Sequence, residues 1–359
     1  MAIVVATALA FDFTNGFHDT ANVVATSIST HALPPRTAVA LASVLNFVGA
    51  FISLEVAATV AKDVVDSGAI TPTVVFAGLM GAIAWNLTTW LFGLPSSSSH
   101  ALIGGVVGAA FAYAGADAVL GEGILGKVLI PAVIAPAVAF AVGALGILVA
   151  YRVVGRRRPG AVNRGYRLGQ VVSGGMLALA HGTNDAQKTM GVITLALIAN
   201  GTLSSDAEVP FWVVVSAASA IALGTYTGGW RIIRTMGTRI IKMDAAQGFS
   251  AQGAGAAVIL VSSHFGFPLS TTQVISGGVM GAGAGKRVSA VRWGVAGNIV
   301  VAWLLTLPCA AAIGAATYGV TRIFGTGAAG PLIVSLAALA AGTLLFVRRS
   351  RGGEPAPAT

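Results

Sequence analysis

Long apolar runs, such as Ala132 to Ala150 and Trp293 to Ala316, most constrain what this chain can fold into. A bilayer's hydrocarbon core is crossed by about 20 apolar residues of helix. Within lipid, each backbone N–H and C=O must find its partner inside the protein, and a helix provides this along its own length. Of the 359 residues, 55% are hydrophobic and 9% charged, with a mean hydropathy of +0.84. Soluble domains carry about a quarter of their residues as charges. The expected fold is an all-α polytopic membrane protein. Its 47 glycines suit closely packed membrane helices.

The net charge of +9 does not point to nucleic acid, because the basic residues are confined between apolar runs. They cluster at Arg152 to Arg167, Arg231 to Lys242, Lys286 to Arg292 and Arg348 to Arg351, as cytoplasmic loops do. The one cysteine, Cys309, excludes an intramolecular disulfide. The first apolar run leads directly into polar residues, so it is expected to be a membrane segment and not a cleaved signal.

Two motifs each occur twice. Asn15-Gly16-Phe17-His18-Asp19-Thr20-Ala21-Asn22 returns as His181-Gly182-Thr183-Asn184-Asp185-Ala186-Gln187-Lys188, offset by 166 residues. Gly93-Leu94-Pro95-Ser96-Ser97-Ser98-Ser99-His100 returns as Gly266-Phe267-Pro268-Leu269-Ser270-Thr271-Thr272-Gln273, offset by 173. Gly104, Gly105 and Gly108 likewise match Gly277, Gly278 and Gly281. This order and spacing indicate a duplication: a first repeat over 1–150, a basic cytoplasmic linker over 151–167, a second repeat over 168–316, and a C-terminal helix with a short tail over 317–359. The loop charges place the two Pro-Ser/Thr motifs on opposite sides of the membrane. The expectation is therefore two inverted-topology repeats, each with a broken helix and a re-entrant hairpin. Thr14-Asn15-Gly16 is where the first helix is expected to break.

The hairpin tips offer an anion site without fixed charge. Ser97, Ser98 and Ser99 in one, and Ser270, Thr271 and Thr272 in the other, bring hydroxyls and free N–H groups to the start of a half-helix. Facing each other, they would hold a tetrahedral oxyanion; the simpler reading is that they cap helices. Asp19 and Asp185 suit a cation or a proton, with Asn15, Asn22 and Asn184 supplying neutral oxygens. His18 adds a group that titrates near neutrality. Lys188, standing where the first copy has Asn22, would pair with Asp185 or place a fixed positive charge beside an anion. Asp12 has no counterpart in the second copy and is expected near an aqueous boundary. His100 and His264 are open, and His31 is expected in a solvated loop. An intramembrane hydrolase built on Ser99-His100 is disfavoured by the absence of any His-Glu-x-x-His or Gly-x-Ser-x-Gly pattern, so an enzyme is not expected. Buried titratable residues also argue against a passive channel.

These paired motifs, from about Ala10 to Ala316, resemble the inorganic phosphate transporter (PiT) family, and most of all its bacterial low-affinity Pit branch. The resemblance implies secondary active import of inorganic phosphate, free or as a neutral metal–phosphate complex, in the cell's inner (plasma) membrane. The basic loops and C-terminus would be cytoplasmic. It also implies no resident cofactor: a proton (or sodium) is co-transported, with a divalent metal accompanying phosphate in the complexed form and Asp19 and Asp185 as candidate metal ligands. Sodium-coupled members carry Asn-Asp followed by Ala-Asn in both copies. Here His18 and Lys188 depart from that pattern, so proton coupling is expected. Sodium-coupled phosphate symport and sulfate permeation by the same architecture are the alternatives. A homodimer is compatible with this reading, and the partners implied are phosphate and the lipid bilayer.

Overall fold

The computed structural model describes residues 1–154, 157–325 and 327–351, with side chains as far as Gly342. Linker residues 155–156, the side chains of Arg348 to Arg351 and the polar tail 352–359 lie outside the described residues. The rest is almost entirely helical. The first half contains α1 (Ala2–Ser29), α2 (Pro35–Gly49), α3 (Glu55–Lys62), α4 (Pro72–Phe92), α5 (Ser98–Ala114) and α6 (Gly121–Val154). The second contains α7 (Pro159–Ala199), α8 (Phe211–Thr227), α9 (Trp230–Arg239), α10 (Ala245–His264), α11 (Thr271–Lys286) and α12 (Trp293–Ile323). A further helix, α13 (Ala329–Arg351), follows.

Element by element, the halves correspond: α1 with α7, α2 and α3 with α8 and α9, α4 with α10, α5 with α11, and α6 with α12. Their packing corresponds as well. Within each half the tip-bearing pair stays together, α4 on α5 and α10 on α11. Other partners are exchanged: α5 packs on α12 and α11 on α6, while α1 packs on α8 and α7 on α2. This reciprocal pattern fits the inverted-repeat expectation.

Each half has a broken helix, but not at Thr14-Asn15-Gly16. There α1 runs on without interruption, and α7 is a single helix of 41 residues. The hydroxyls of Thr14 and Thr20 donate to the carbonyls of Phe11 and Gly16, so they are satisfied inside the helix. The glycines serve close approach: a Cβ on Gly16 would run into the backbone of Ile221, and one on Gly182 into that of Asn46. The breaks fall in the second element of each half, at 50–54 between α2 and α3 and at Gly228 between α8 and α9, which are bent by 61°. The linker also differs from expectation. Because α7 starts at Pro159, the basic residues Arg164 and Arg167 lie on its first turns.

The helix–turn–helix tips form as expected. Gly93 (φ 64°) and Gly266 (φ 73°) adopt the left-handed conformation that ends α4 and α10, and each is followed two residues later by proline. Ser97 and Ser270 then cap α5 and α11, accepting from His100 N–H at 3.1 Å and Gln273 N–H at 3.3 Å. α4, α6 and α12 are each long and apolar enough to cross a membrane, and α8 with α9 makes a bent span. Only 22% of the apolar window of α6 and 28% of that of α12 are buried, so their greasy faces point outward, as lipid contact requires.

The matched glycines mark the exchanged contacts. A Cβ on Gly108 would collide with the backbone of Ala311 in α12, and one on Gly281 with that of Phe140 in α6. Backbone cannot yield as a side-chain tip can, so Gly108→Val should destabilise the fold by about 2 kcal/mol. Thermal unfolding in detergent reads this against Gly121→Ala, where a Cβ meets nothing.

Asp244 opens α10 through a capping box with Gln247, accepts from Tyr151 at 2.7 Å and binds Lys286 at 2.8 Å. Partial burial opposes its ionisation, but Lys286, the Gln247 N–H and Tyr151 outweigh that and hold the carboxyl below its usual value. A lowered carboxylate pKa stabilises the fold above the ordinary pKa of about 4, and the benefit is lost as pH falls through the native value. Wild type and Asp244→Ala should therefore differ in melting temperature at neutral pH and converge in acid.

Candidate functional site

The two tips meet where α1 and α7 pass through the protein interior. Since α5 and α11 point their N-termini there, the N–H groups of Ser98, Ser99, Thr271 and Thr272 lack intrahelical acceptors. His18, Asp19 and Asn22 approach from α1, and His181, Asp185 and Lys188 from α7. All are buried, so the site is shut off from solvent in this conformation.

Lys188 connects the parts. Its ammonium donates to Asp185 Oδ1, to Ser99 Oγ of the first tip at 2.5 Å and to the Leu269 carbonyl of the second at 2.6 Å. Those bonds use all three of its protons. Asp185 accepts from Thr271 Oγ1 at 3.1 Å through its other oxygen, which also lies 3.0 Å from His181 Nε2. Asp19 Oδ1 accepts from Thr272 Oγ1 at 3.2 Å and lies 2.6 Å from His18 Nδ1. His18 also reaches the first tip, with Ser98 Oγ at 3.3 Å from Nδ1 and Ser96 Oγ at 3.4 Å from Nε2. Asn22 donates to Thr272 Oγ1 at 2.9 Å.

Nine of the thirteen residues singled out in the sequence thus converge: Ser98, Ser99, Thr271, Thr272, His18, Asp19, Asn22, Asp185 and Lys188. The other four stand apart from these contacts. The Ser97 and Ser270 side chains cap helices, as the simpler reading had it. Asn184 donates to Ser263 at 2.8 Å and to the Phe267 carbonyl at 3.2 Å, which ties α7 to the end of α10. Asn15 stands one turn from Asp19, and its buried Oδ1 has no hydrogen-bond partner. Of the open histidines, His100 is buried 3.4 Å from Gln273 Nε2, whereas His264 is exposed against Phe265. His31 is exposed in its loop, as expected. Asp12 is a correction: instead of lying near water it is 0% exposed.

His181 was not singled out, although the motif begins with it. Its signal is spacing, since it precedes Asp185 by one helical turn. Its counterpart is Asn15, while that of His18 is Asn184, so the halves place their histidines differently yet give each aspartate one imidazole. Ligand atoms of Asp19, His181 and Asp185 lie within 4.8 Å of one another, a donor set able to hold a metal ion.

Together with the apolar outer faces of α6 and α12, this enclosed and charged centre defines a polytopic helical membrane protein organised around a polar site. A model of the phosphate transporter family matches residues 15–314, and the chain belongs to that family. A probable low-affinity inorganic phosphate transporter of Mycobacterium tuberculosis is 55% identical over 326 residues, covering 90% of this chain and 78% of the relative. Another, from Bacillus subtilis, is 45% identical over 318 residues, covering 88% and 95%. Among solved structures, one titled a sodium-dependent phosphate transporter shares the fold, with a TM-score of 0.80 over 90% of this chain and 98% of that one, at 23% identity.

Removing one member of a buried ion pair strands the other, at a cost of about 3–5 kcal/mol. Lys188→Met should therefore melt well below wild type, and Asp185→Asn combined with Lys188→Met should recover most of the loss. Thermal unfolding of the two single variants and the double variant completes the cycle.

Proposed function

We propose that this protein imports inorganic phosphate by proton-coupled symport across the inner membrane, with the basic loops on the cytoplasmic side and the repeats at 1–150 and 168–316 framing the site. The observation that carries this reading is the convergence of two hydroxyl-rich helix N-termini on two aspartates. Ser98, Ser99, Thr271 and Thr272 offer N–H and O–H donors from two sides to a tetrahedral anion. Asp19 and Asp185 accept from its protonated oxygens. Hydrogen phosphate can donate to a carboxylate and sulfate cannot, which favours phosphate. Where the anion travels as a neutral metal complex, Asp19, His181 and Asp185 are the groups to meet the metal, which is then cargo.

Proton coupling is supported by what surrounds each aspartate. Lys188 places an ammonium among oxygens of Asp185, Ser99 and Leu269, where a sodium ion would otherwise find ligands. Beside Asp19 stands His18, whose imidazole Nδ1 lies 2.6 Å from the carboxylate.

Labelled phosphate uptake into proteoliposomes under an imposed proton gradient, a sodium gradient or neither tests both substrate and coupling. The proton gradient should drive accumulation, and unlabelled sulfate should compete poorly. Asp19→Asn and Asp185→Asn should each cut uptake at least about tenfold, because losing one member of a buried charge pair costs about 2 kcal/mol or more. Uptake driven by sodium and indifferent to a proton uncoupler would sink the coupling; accumulation of sulfate in place of phosphate would sink the substrate.

A further inference from the structure

Asp12 lies on the same face of α1 as Asn15, Asp19 and Asn22 and is fully buried, and neither of its oxygens accepts a hydrogen bond of sound geometry. Asn15 and Thr189 lie beside it, and there Asn15 Oδ1 and Thr189 Oγ1 are themselves without partners. Four buried oxygen atoms thus share one neighbourhood without a well-formed hydrogen bond among them. Lys188, the cation within electrostatic reach, has already committed its three protons to Asp185, Ser99 and Leu269. The remaining titratable groups near this stretch are Asp185 and His181 on α7, His18 and Asp19 on α1, and His100 on α5. α4 contains no titratable residue, and α8 only the exposed Tyr226. The arginines of α9 belong to a helix that packs at Ala25 through Gly237 and is preceded by Gly229 against Phe17, further along α1.

We propose that Asp12 binds the proton that this transporter couples to phosphate. An ionised carboxylate here would be buried with only the neutral groups of Thr189 and Asn15 beside it and no uncommitted cation, which is costly without compensation. One proton removes the charge and completes a chain: Thr189 donates to Asp12, and the Asp12 hydroxyl donates to Asn15 Oδ1. Water reaching Asp12 in an open form would let it ionise, so closing the site over phosphate requires the proton to return. Each closure then carries one proton inward with the anion. The position that matches Asp12 in the second half is Ala178, so the site exists once per chain.

This inference rests on the proton-coupled reading above, and the experiment separates the two. Wild type, Asp12→Asn and Asp12→Glu are reconstituted and given labelled phosphate under a proton gradient, a sodium gradient or neither. In parallel, infrared difference spectra of the full-length protein with and without phosphate are recorded for the carbonyl stretch of a protonated carboxyl. Accumulation should fall to the no-gradient level in Asp12→Asn. Asp12→Glu should retain it with a displaced pH profile, and the carboxyl band of wild type should be missing from Asp12→Asn. Proton-driven accumulation in Asp12→Asn equal to wild type would overturn the assignment while leaving proton coupling intact. Loss of accumulation in both variants with the infrared band unchanged would also overturn it, leaving Asp12 a structural role. Sodium-driven accumulation that is lost in Asp12→Asn would make this a sodium site. A wild type indifferent to the proton gradient would remove the coupling itself.

Discussion

The ammonium of Lys188 is the interaction on which the centre of this protein depends. A charge at membrane depth survives only when its partners are fixed around it, and these partners come from three different places in the chain. Asp185 neutralises it, Ser99 brings in the start of α5, and the Leu269 carbonyl brings in the turn before α11. Both tips are therefore pinned to α7 by one group. Asp19 is held by different means, through His18 and Thr272. A duplicated architecture has become chemically asymmetric: one aspartate is paired with a lysine, and the other lies against an imidazole.

Much of this was legible in the sequence because the constraints involved are local. Proline after a left-handed glycine stops one helix and starts the next, and a serine two residues later caps it, so the tips could be placed from residue types alone. The recurrence of Asp19 as Asp185 and of Pro95 as Pro268 gave the two halves. The broken helices were misplaced because Gly16, read as a breaker, is a contact residue. Whether a glycine bends a helix or admits a neighbour depends on what lies across from it, here Ile221, some 200 residues away in the chain. The same limit explains His181 and Asp12. Their roles come from tertiary neighbours, and only the one-turn spacing of His181 from Asp185 hinted at either.

Polar groups without partners are rare in folded interiors, and they cluster here. Asp12, Asn15, Asn22, Asn184, Thr189 and Gln273 all hold buried side-chain atoms with no hydrogen-bond partner, and all lie on α1, α7 or the start of α11. Elsewhere buried hydroxyls are returned to nearby backbone carbonyls, as in Thr194, Thr306 and Thr321. On α1, α7 and the start of α11 the unpartnered atoms stand where a ligand or a proton would complete them, and Asn86 and Trp90 on α4 hold further unpartnered atoms.

The exchange of helices between halves has a consequence for how the chain is made. The glycine face of α5 is shaped for α12, which emerges only after everything between Ala114 and Trp293 has been synthesised. At about 5–20 residues per second, that leaves α5 waiting on the order of ten seconds or more without its final neighbour. During that interval a helix dense in glycine, joined to a serine-rich turn, must be sheltered by lipid or by the insertion machinery. The first half is thus born incomplete, and the order of translation makes α12 the helix that closes it.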